Sequence, residues 1–428
     1  MSFARAVYTA LTYLALPVAL ARLAWRSRRE QGYSAHVSER LGAYRVQTPA
    51  RPLIWIHAVS VGETRAAEPL VLALRARYPD HAMLMTHMTP TGRRTGVTLF
   101  GDTVLRAYLP YDFPGAVARF LDHFRPRLSV IMETEIWPNL VAACKARGVP
   151  IVLANARLSE RSARGYLRLG ALARDAVGAF SAIAAQTSAD ARRFDALGAR
   201  TVTVTGSLKF DVTPPLEQLA RGRAWRESYG PRPVLLAAST REGEEGVVLD
   251  AFAELSGNPL LVLVPRHPQR FDAVAALLDA RGLRHARRSG AAEVTAETQV
   301  LLGDSMGEMA AYYAACDLAF VGGSLLPFGG QNFIEACAVG TPVLLGPHTY
   351  NFAQSAEQAI AAGAAVRIDG SSDLAREAAR LLADHEALAQ MAQRALAFAH
   401  AHQGATARLM EMIEAVTTSY PPPSLPSP

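Results

Sequence analysis

Lysine is almost absent from this chain: of 44 basic residues only Lys145 and Lys209 are lysines. Cysteine is nearly as scarce. Cys144, Cys316 and Cys337 are odd in number and far apart, so neither a disulfide framework nor a zinc site follows, and a reducing compartment is expected. No Walker A pattern occurs, no Gly-x-Gly-x-x-Gly is placed for a dinucleotide, and no His/Cys cluster has metal-ligand spacing. These absences argue against a P-loop nucleotidase, an ordinary NAD enzyme and a metalloenzyme. His57, His87, His267 and His348 are scattered and read as structural or hydrogen-bonding groups. No metal and no resident cofactor is expected.

What is present is apolar: half of the 428 residues are hydrophobic and 19% are charged, as in a globular protein long enough for two domains. The net charge of +6 is concentrated in residues 1–51, where eight arginines face only Glu30 and Glu39. A nucleic-acid-binding protein usually carries its basic excess on the folded body. Here the excess flanks an uncharged run, Ala6 to Ala21, which points to an anionic membrane surface and away from nucleic acid. With Arg22 snorkelling, the segment reaches the length of a bilayer span; it equally suits an interfacial helix. Arg26, Arg28 and Arg29 follow it, placing the main body in the cytoplasm. Ala19-Leu-Ala21 mimics a signal-peptidase site, but arginines directly after it argue against export.

From Leu53 to Thr205 six short apolar strands alternate with helical stretches, and six more follow from Val234 to Ile368. Such alternation predicts two parallel sheets covered by helices, with ligands in a cleft at the carboxyl ends of the strands. The expected boundaries are a membrane-associated helix and basic flank over 1–45, a first Rossmann-like domain over 46–210, and a proline-rich linker over 211–233. A second domain over 234–417 and a disordered tail over 418–428 complete the chain.

Chemistry-bearing residues collect at strand ends. His57-Ala-Val-Ser-Val-Gly-Glu63 leaves a buried strand and enters a helix, so Glu63 reads either as a general base or as a first-turn partner of the helix dipole. Glu133 and Glu135, in Met132-Glu-Thr-Glu-Ile-Trp-Pro-Asn139, end an apolar run and are expected on one side of an extended backbone, with Arg157 as an ion-pair partner. Paired carboxylates also suit a glycosidase. Lys209, in so arginine-rich a chain, suggests a required compact charge, or chance retention on the surface. In the second half, Pro265 and Arg266 sit at a strand end, and Met306-Gly-Glu308 at a strand-to-helix turn whose N–H groups suit an anion. The stretch Phe320-Val-Gly-Gly-Ser324, Gly329-Gly-Gln-Asn-Phe-Ile-Glu335 reads as strand, glycine loop and a helix beginning near Asn332. Glu335 is then placed to accept from a ribose diol.

Together with Met88-Thr-Pro-Thr-Gly92, Leu109-Pro-Tyr-Asp112, Ala154-Asn-Ala-Arg-Leu158 and Gly206-Ser-Leu-Lys-Phe-Asp211, these segments closely resemble the bacterial Kdo (3-deoxy-D-manno-octulosonic acid) transferases. The resemblance covers nearly the whole chain in order. It implies an α/β GT-B glycosyltransferase with two facing Rossmann-like domains and an N-terminal membrane-associated helix, at the cytoplasmic face of the inner membrane. The implied reaction is metal-independent and inverting, with CMP-Kdo as donor and a lipid A precursor, lipid IVA, as acceptor. By motif, Glu63 would be the base, Glu133 and Lys209 would support the transition state, and Pro265, Arg266, Met306, Gly307, Glu308, Asn332, Phe333, Ile334 and Glu335 would hold CMP. One departure stands out: the family loop commonly reads Gly-Gly-His-Asn, whereas Gln331 and Asn332 stand here, and Phe333 replaces a frequent proline. Two alternatives remain, another GT-B nucleotide-sugar enzyme (a UDP-sugar transferase or an epimerase) and a non-catalytic membrane-associated nucleotide-sugar binding protein.

Overall fold

A computed structural model describes residues 2–29, 32–290 and 293–419. The chain divides into two units, the first running to Asp211 and resuming at Gln403, the second spanning Val212–His402. The disordered tail expected from sequence lies, from 420 onward, outside the described residues.

The first unit is built on β1 (Leu53–His57), β2 (Ala82–His87), β3 (Leu105–Tyr108), β4 (Leu128–Met132), β5 (Ile151–Ala156), β6 (Ala182–Ala185) and β7 (Val202–Val204). They form one parallel sheet in the order β3-β2-β1-β4-β5-β6-β7. Helices cover both faces, so β1, β2, β4 and β5 are buried throughout and read as unbroken apolar runs. Trp55 on β1 is fully buried against Phe120, and its indole N–H donates to Thr86 Oγ1 at 2.7 Å. β3 escapes sequence reading because it is an edge strand, half-buried at Leu105 and Arg106.

The second unit repeats the plan with β8 (Val234–Thr240), β9 (Leu260–Pro265), β10 (His285–Arg287), β11 (Val300–Leu302), β12 (Leu318–Val321), β13 (Val343–Leu345) and β14 (Ala365–Arg367). Its order is β10-β11-β9-β8-β12-β13-β14, again all parallel. The polar edge strand β10 is the one the sequence did not reveal. Strand order reverses at β1/β4 in one sheet and at β8/β12 in the other, the positions where doubly wound sheets bind ligands.

Two expected boundaries need correction. The stretch 211–233 is no simple linker: Leu216–Ser228 is a helix of the second unit packed on Met309–Ala314. Pro215 stands at its N-cap and Pro231 beyond its end, positions that tolerate proline, so the prolines punctuate a helix and do not abolish it. Nor does the second domain extend to 417. The final helix, Ala405–Ser419, buries Leu409, Ile413 and Met412 in the core of the first sheet. Asp211 fastens its start, accepting the N–H of Gly404 at 2.7 Å and that of Thr406.

The N-terminal helix, Phe3–Arg29, is long and apolar enough to cross a membrane by length and composition, and only 6% of its apolar window is buried. Contacts near its start tie it to the first unit. Tyr8 donates to Asp112 at 3.0 Å, Thr9 to Asn139 at 3.0 Å, and Tyr13 stacks on Phe113. Asp112 also accepts the N–H groups of Asn139 and Leu140, capping the helix Pro138–Ala146.

Candidate active site

At the carboxyl end of β1 the backbone turns at Ser60, the N-cap of a short helix, Val61–Ala66. Glu63 folds back over this turn: Oε2 accepts the Val59 N–H at 2.8 Å and Oε1 the Ser60 hydroxyl at 2.9 Å. The turn is held from below. His87 Nδ1 lies 2.9 Å from the Ala58 carbonyl and the Thr89 hydroxyl donates to that of Val59. A Cβ on Gly92 would stand 3.0 Å from the Val59 carbonyl, tighter than ordinary contact, so a side chain there would press on this turn. His57 and His87 are buried, which drives their pKa down to about 3 and about 4; both are neutral structural groups.

Glu63 occupies the first turn of its helix, as the sequence predicts. Despite two hydrogen bonds that favour its charge, burial and then the neighbouring Glu133 raise its pKa to about 7. Glu133 follows β4 with φ at +58°, a left-handed conformation uncommon for glutamate. β4 stops at Met132 and the chain turns there, so the expected extended alternation of Glu133 and Glu135 does not hold. Glu135 instead accepts the Trp137 indole N–H at 2.9 Å. Lys209 belongs to the same cluster. Burial lowers its pKa, as does Arg157, while Glu133 and Glu63 oppose the shift. Asn155, φ +53°, secures the segment bearing Lys209 by accepting the Leu208 N–H at 3.1 Å. Glu63, Glu133 and Lys209 thus share one electrostatic site at the β1/β4 switch point.

In the second unit the glycine stretch lies at the β8/β12 switch point. Gly330 and Gln331 donate their N–H groups to the carbonyls of Gly323 and Gly322, knitting two loops together. A Cβ on Gly322 would meet the Ser239 carbonyl at 2.7 Å. Arg266, after Pro265 at the end of β9, donates its backbone N–H to Thr240 and its Nε–H to Gln331 Oε1 at 3.1 Å. The helix runs Ile334–Val339, two residues later than expected, because Asn332 Oδ1 accepts the Ile334 N–H while its amide donates to Glu335 at 2.9 Å. Phe333 and Ile334 are buried, so they offer a ligand backbone only. Met306 is exposed, Gly307 has φ +81°, and Glu308 is paired with Arg221 and Arg288. Among the described residues no three His, Cys, Asp or Glu side chains gather as metal ligands.

The profile described as "3-Deoxy-D-manno-octulosonic-acid transferase (kdotransferase)" matches residues 35–212, and that of "Glycosyl transferases group 1" matches 283–398. A 3-deoxy-D-manno-octulosonic acid transferase of Bordetella pertussis is 48% identical over 91% of this chain and 94% of its own. The chain belongs to the Kdo transferase family. The Haemophilus influenzae transferase of the same description is 36% identical over 96% of this chain and 98% of its own. Fold similarity reaches further: Anabaena HepE in complex with UDP superposes with a TM-score of 0.54 at 17% identity, covering 86% of this chain and all of that one.

Gln331 is a neutral amide, so its oxygen can hold Arg266 at any pH. Sequence reading missed a second support altogether. Glu244, fully buried after β8, accepts the N–H groups of Arg241, Gly323, Leu325 and Leu326. The signal was there in Thr240-Arg-Glu-Gly-Glu-Glu245, a cluster of carboxylates directly after an apolar strand.

Proposed function

We propose that this Kdo transferase moves Kdo from CMP-Kdo to a lipid A precursor, lipid IVA, in lipopolysaccharide core synthesis, working at the cytoplasmic face of the inner membrane. Family membership supports the donor and the transferred sugar. The observation that carries the mechanism is a carboxylate, Glu63, tuned to about pH 7 at a switch point. Its ionised form takes the proton of the acceptor hydroxyl as the oxygen attacks the anomeric carbon, and the bond from that carbon to the CMP phosphate oxygen breaks. Attack from the face opposite CMP inverts the centre.

Charge develops on both sides. Lys209 opposes the negative charge of Glu133 beside the base, and it meets the Kdo carboxylate. On the donor side Arg266, the Met306–Glu308 turn and the loop N–H groups receive the CMP phosphate, while Glu335, oriented by Asn332, accepts the ribose hydroxyls. This charge stabilisation is supplied by side chains and backbone, without a resident metal. The Phe3–Arg29 helix and its arginines hold the enzyme on the anionic surface where the acceptor lies.

Mass analysis of the products from purified protein, CMP-Kdo and lipid IVA tests the reading directly. One released CMP per added Kdo is expected; preference for a UDP-sugar donor would overturn it. Gln331→Ala removes the acceptor that fixes Arg266, and calorimetry is expected to show CMP bound about tenfold more weakly, the size of one charge-assisted hydrogen bond.

A further inference from the structure

A pocket of about 450 Å³ opens in the first unit, within the size range of small-ligand sites. Trp137, Tyr166, Leu172, Ala173 and Ala176 line it, and Tyr8 of the N-terminal helix completes it. Its surface is largely apolar. Among the described lining residues Glu135 is the one charged group, and its carboxylate is already engaged by the Trp137 indole N–H at 2.9 Å. A sugar or nucleotide needs several donors and acceptors in its site; apart from Glu135 and the hydroxyls of Tyr8, Thr134 and Tyr166, this wall offers aliphatic and aromatic surface.

Two features say what enters. The helix that contributes Tyr8 has the length and hydropathy of a membrane span, with 94% of its apolar window unburied, so a helix suited to hydrocarbon forms this side of the pocket. Leu169, itself in the lining, and Leu167 beside it are more than half exposed, continuing that apolar surface. On the other side, the wall segment Thr134–Pro138 follows Glu133 directly, and Glu133 is the group that neighbours Glu63 and Lys209. One chain segment thus joins an apolar pocket beside a membrane helix to the proposed catalytic carboxylates.

We infer that this pocket binds one long acyl chain of the acceptor lipid, drawing it from the bilayer along the N-terminal helix so that the sugar head is presented to Glu63. The inference rests on the lipid-acceptor reading above and specifies how that acceptor is held. Bulk phospholipid is the alternative occupant, and the labelling experiment below distinguishes it. Acyl burial also explains the tie of Tyr8 to Asp112, which holds the helix against the pocket through the cap of Pro138–Ala146.

The test uses the full chain in phospholipid vesicles and an acylated glucosamine disaccharide bearing a photoreactive diazirine near the end of one acyl chain. Label is expected in the peptides containing 134–138 and 166–176. Ala176→Phe, which fills the pocket, is expected to cut that label and to raise the KM for acylated acceptor about tenfold, with CMP affinity and the KM for a deacylated acceptor unchanged. Leu172→Gln, at a half-buried position that places polarity in the wall without overfilling it, is expected to act in the same direction should the first variant fold poorly. Label elsewhere, label that persists in both variants, or equal labelling by a diazirine phospholipid would overturn the inference. Pocket labelling in a protein that transfers no Kdo would sustain it and refute the transferase reading.

Discussion

Glu63→Gln is expected to lower Kdo transfer by about 10²–10⁴-fold, the usual contribution of a positioned general base, while leaving CMP affinity within twofold. Glutamine keeps an acceptor oxygen for the Val59 N–H or the Ser60 hydroxyl, so the turn at the end of β1 persists. What is lost is a basic site whose pKa matches the working pH. Burial is the main cause of that match, and Glu133 adds to it. The same shift has a cost in stability. A carboxyl whose pKa is higher in the folded than in the unfolded chain favours folding when protonated, and that advantage is lost as pH rises from about 4.5 through about 7. Steady-state kinetics and donor calorimetry on one preparation check the expectation. Unchanged turnover would remove Glu63 from the mechanism.

Glu244→Ala is expected to destabilise the second unit by about 3–5 kcal/mol, the loss typical of breaking a buried charged network. Its carboxylate accepts from Gly323 at 2.6 Å, Arg241 at 2.8 Å and Leu325 at 3.0 Å. Removing it strands buried N–H groups, each costing about 1–3 kcal/mol, and the solvent cannot replace a carboxylate in a fully buried site. Thermal melting is expected to fall by roughly 2–4 °C per kcal/mol for a unit of this size. Because the Gly322–Gly323 loop is also the partner of Gly330 and Gln331, CMP binding is expected to weaken by at least about tenfold in whatever folds. Melting within a degree of the parent protein would show that the loop holds itself.

Both sheets were legible because parallel strands covered on two faces are continuous apolar runs, and twelve such runs stand out in the chain. The two strands that were missed, β3 and β10, lie at sheet edges where Arg106, His285 and Arg287 interrupt the apolar signal. The return of the last helix to the first unit was hidden for a different reason. Its apolar face is marked in the sequence, but nothing local says which sheet it covers; Asp211, nearly two hundred residues away, decides that. The site was legible as motifs and illegible as a network. Glu63, Glu133 and Lys209 are visible as isolated polar residues in apolar surroundings, yet their mutual influence exists only after β1, β4 and β5 are side by side. Likewise Gln331 is legible as a departure from the family pattern, whereas its bond to Arg266 crosses 65 residues of sequence.

In the proposed mechanism Glu63 is the base and Glu133 tunes its pKa. The pH dependence of kcat/KM for the acceptor, measured for the parent chain and for Glu133→Gln, tests both halves at once. For the parent the rate is expected to rise with pH through an apparent pKa near 7. In Glu133→Gln a repelling charge is gone, so Glu63 ionises more readily and the acid limb is expected to move to lower pH, even as the maximal rate drops. A flat profile from about pH 5 to 9, roughly the span over which a carboxyl of pKa about 7 ionises, or a limb at the same pH in both proteins, would contradict these roles.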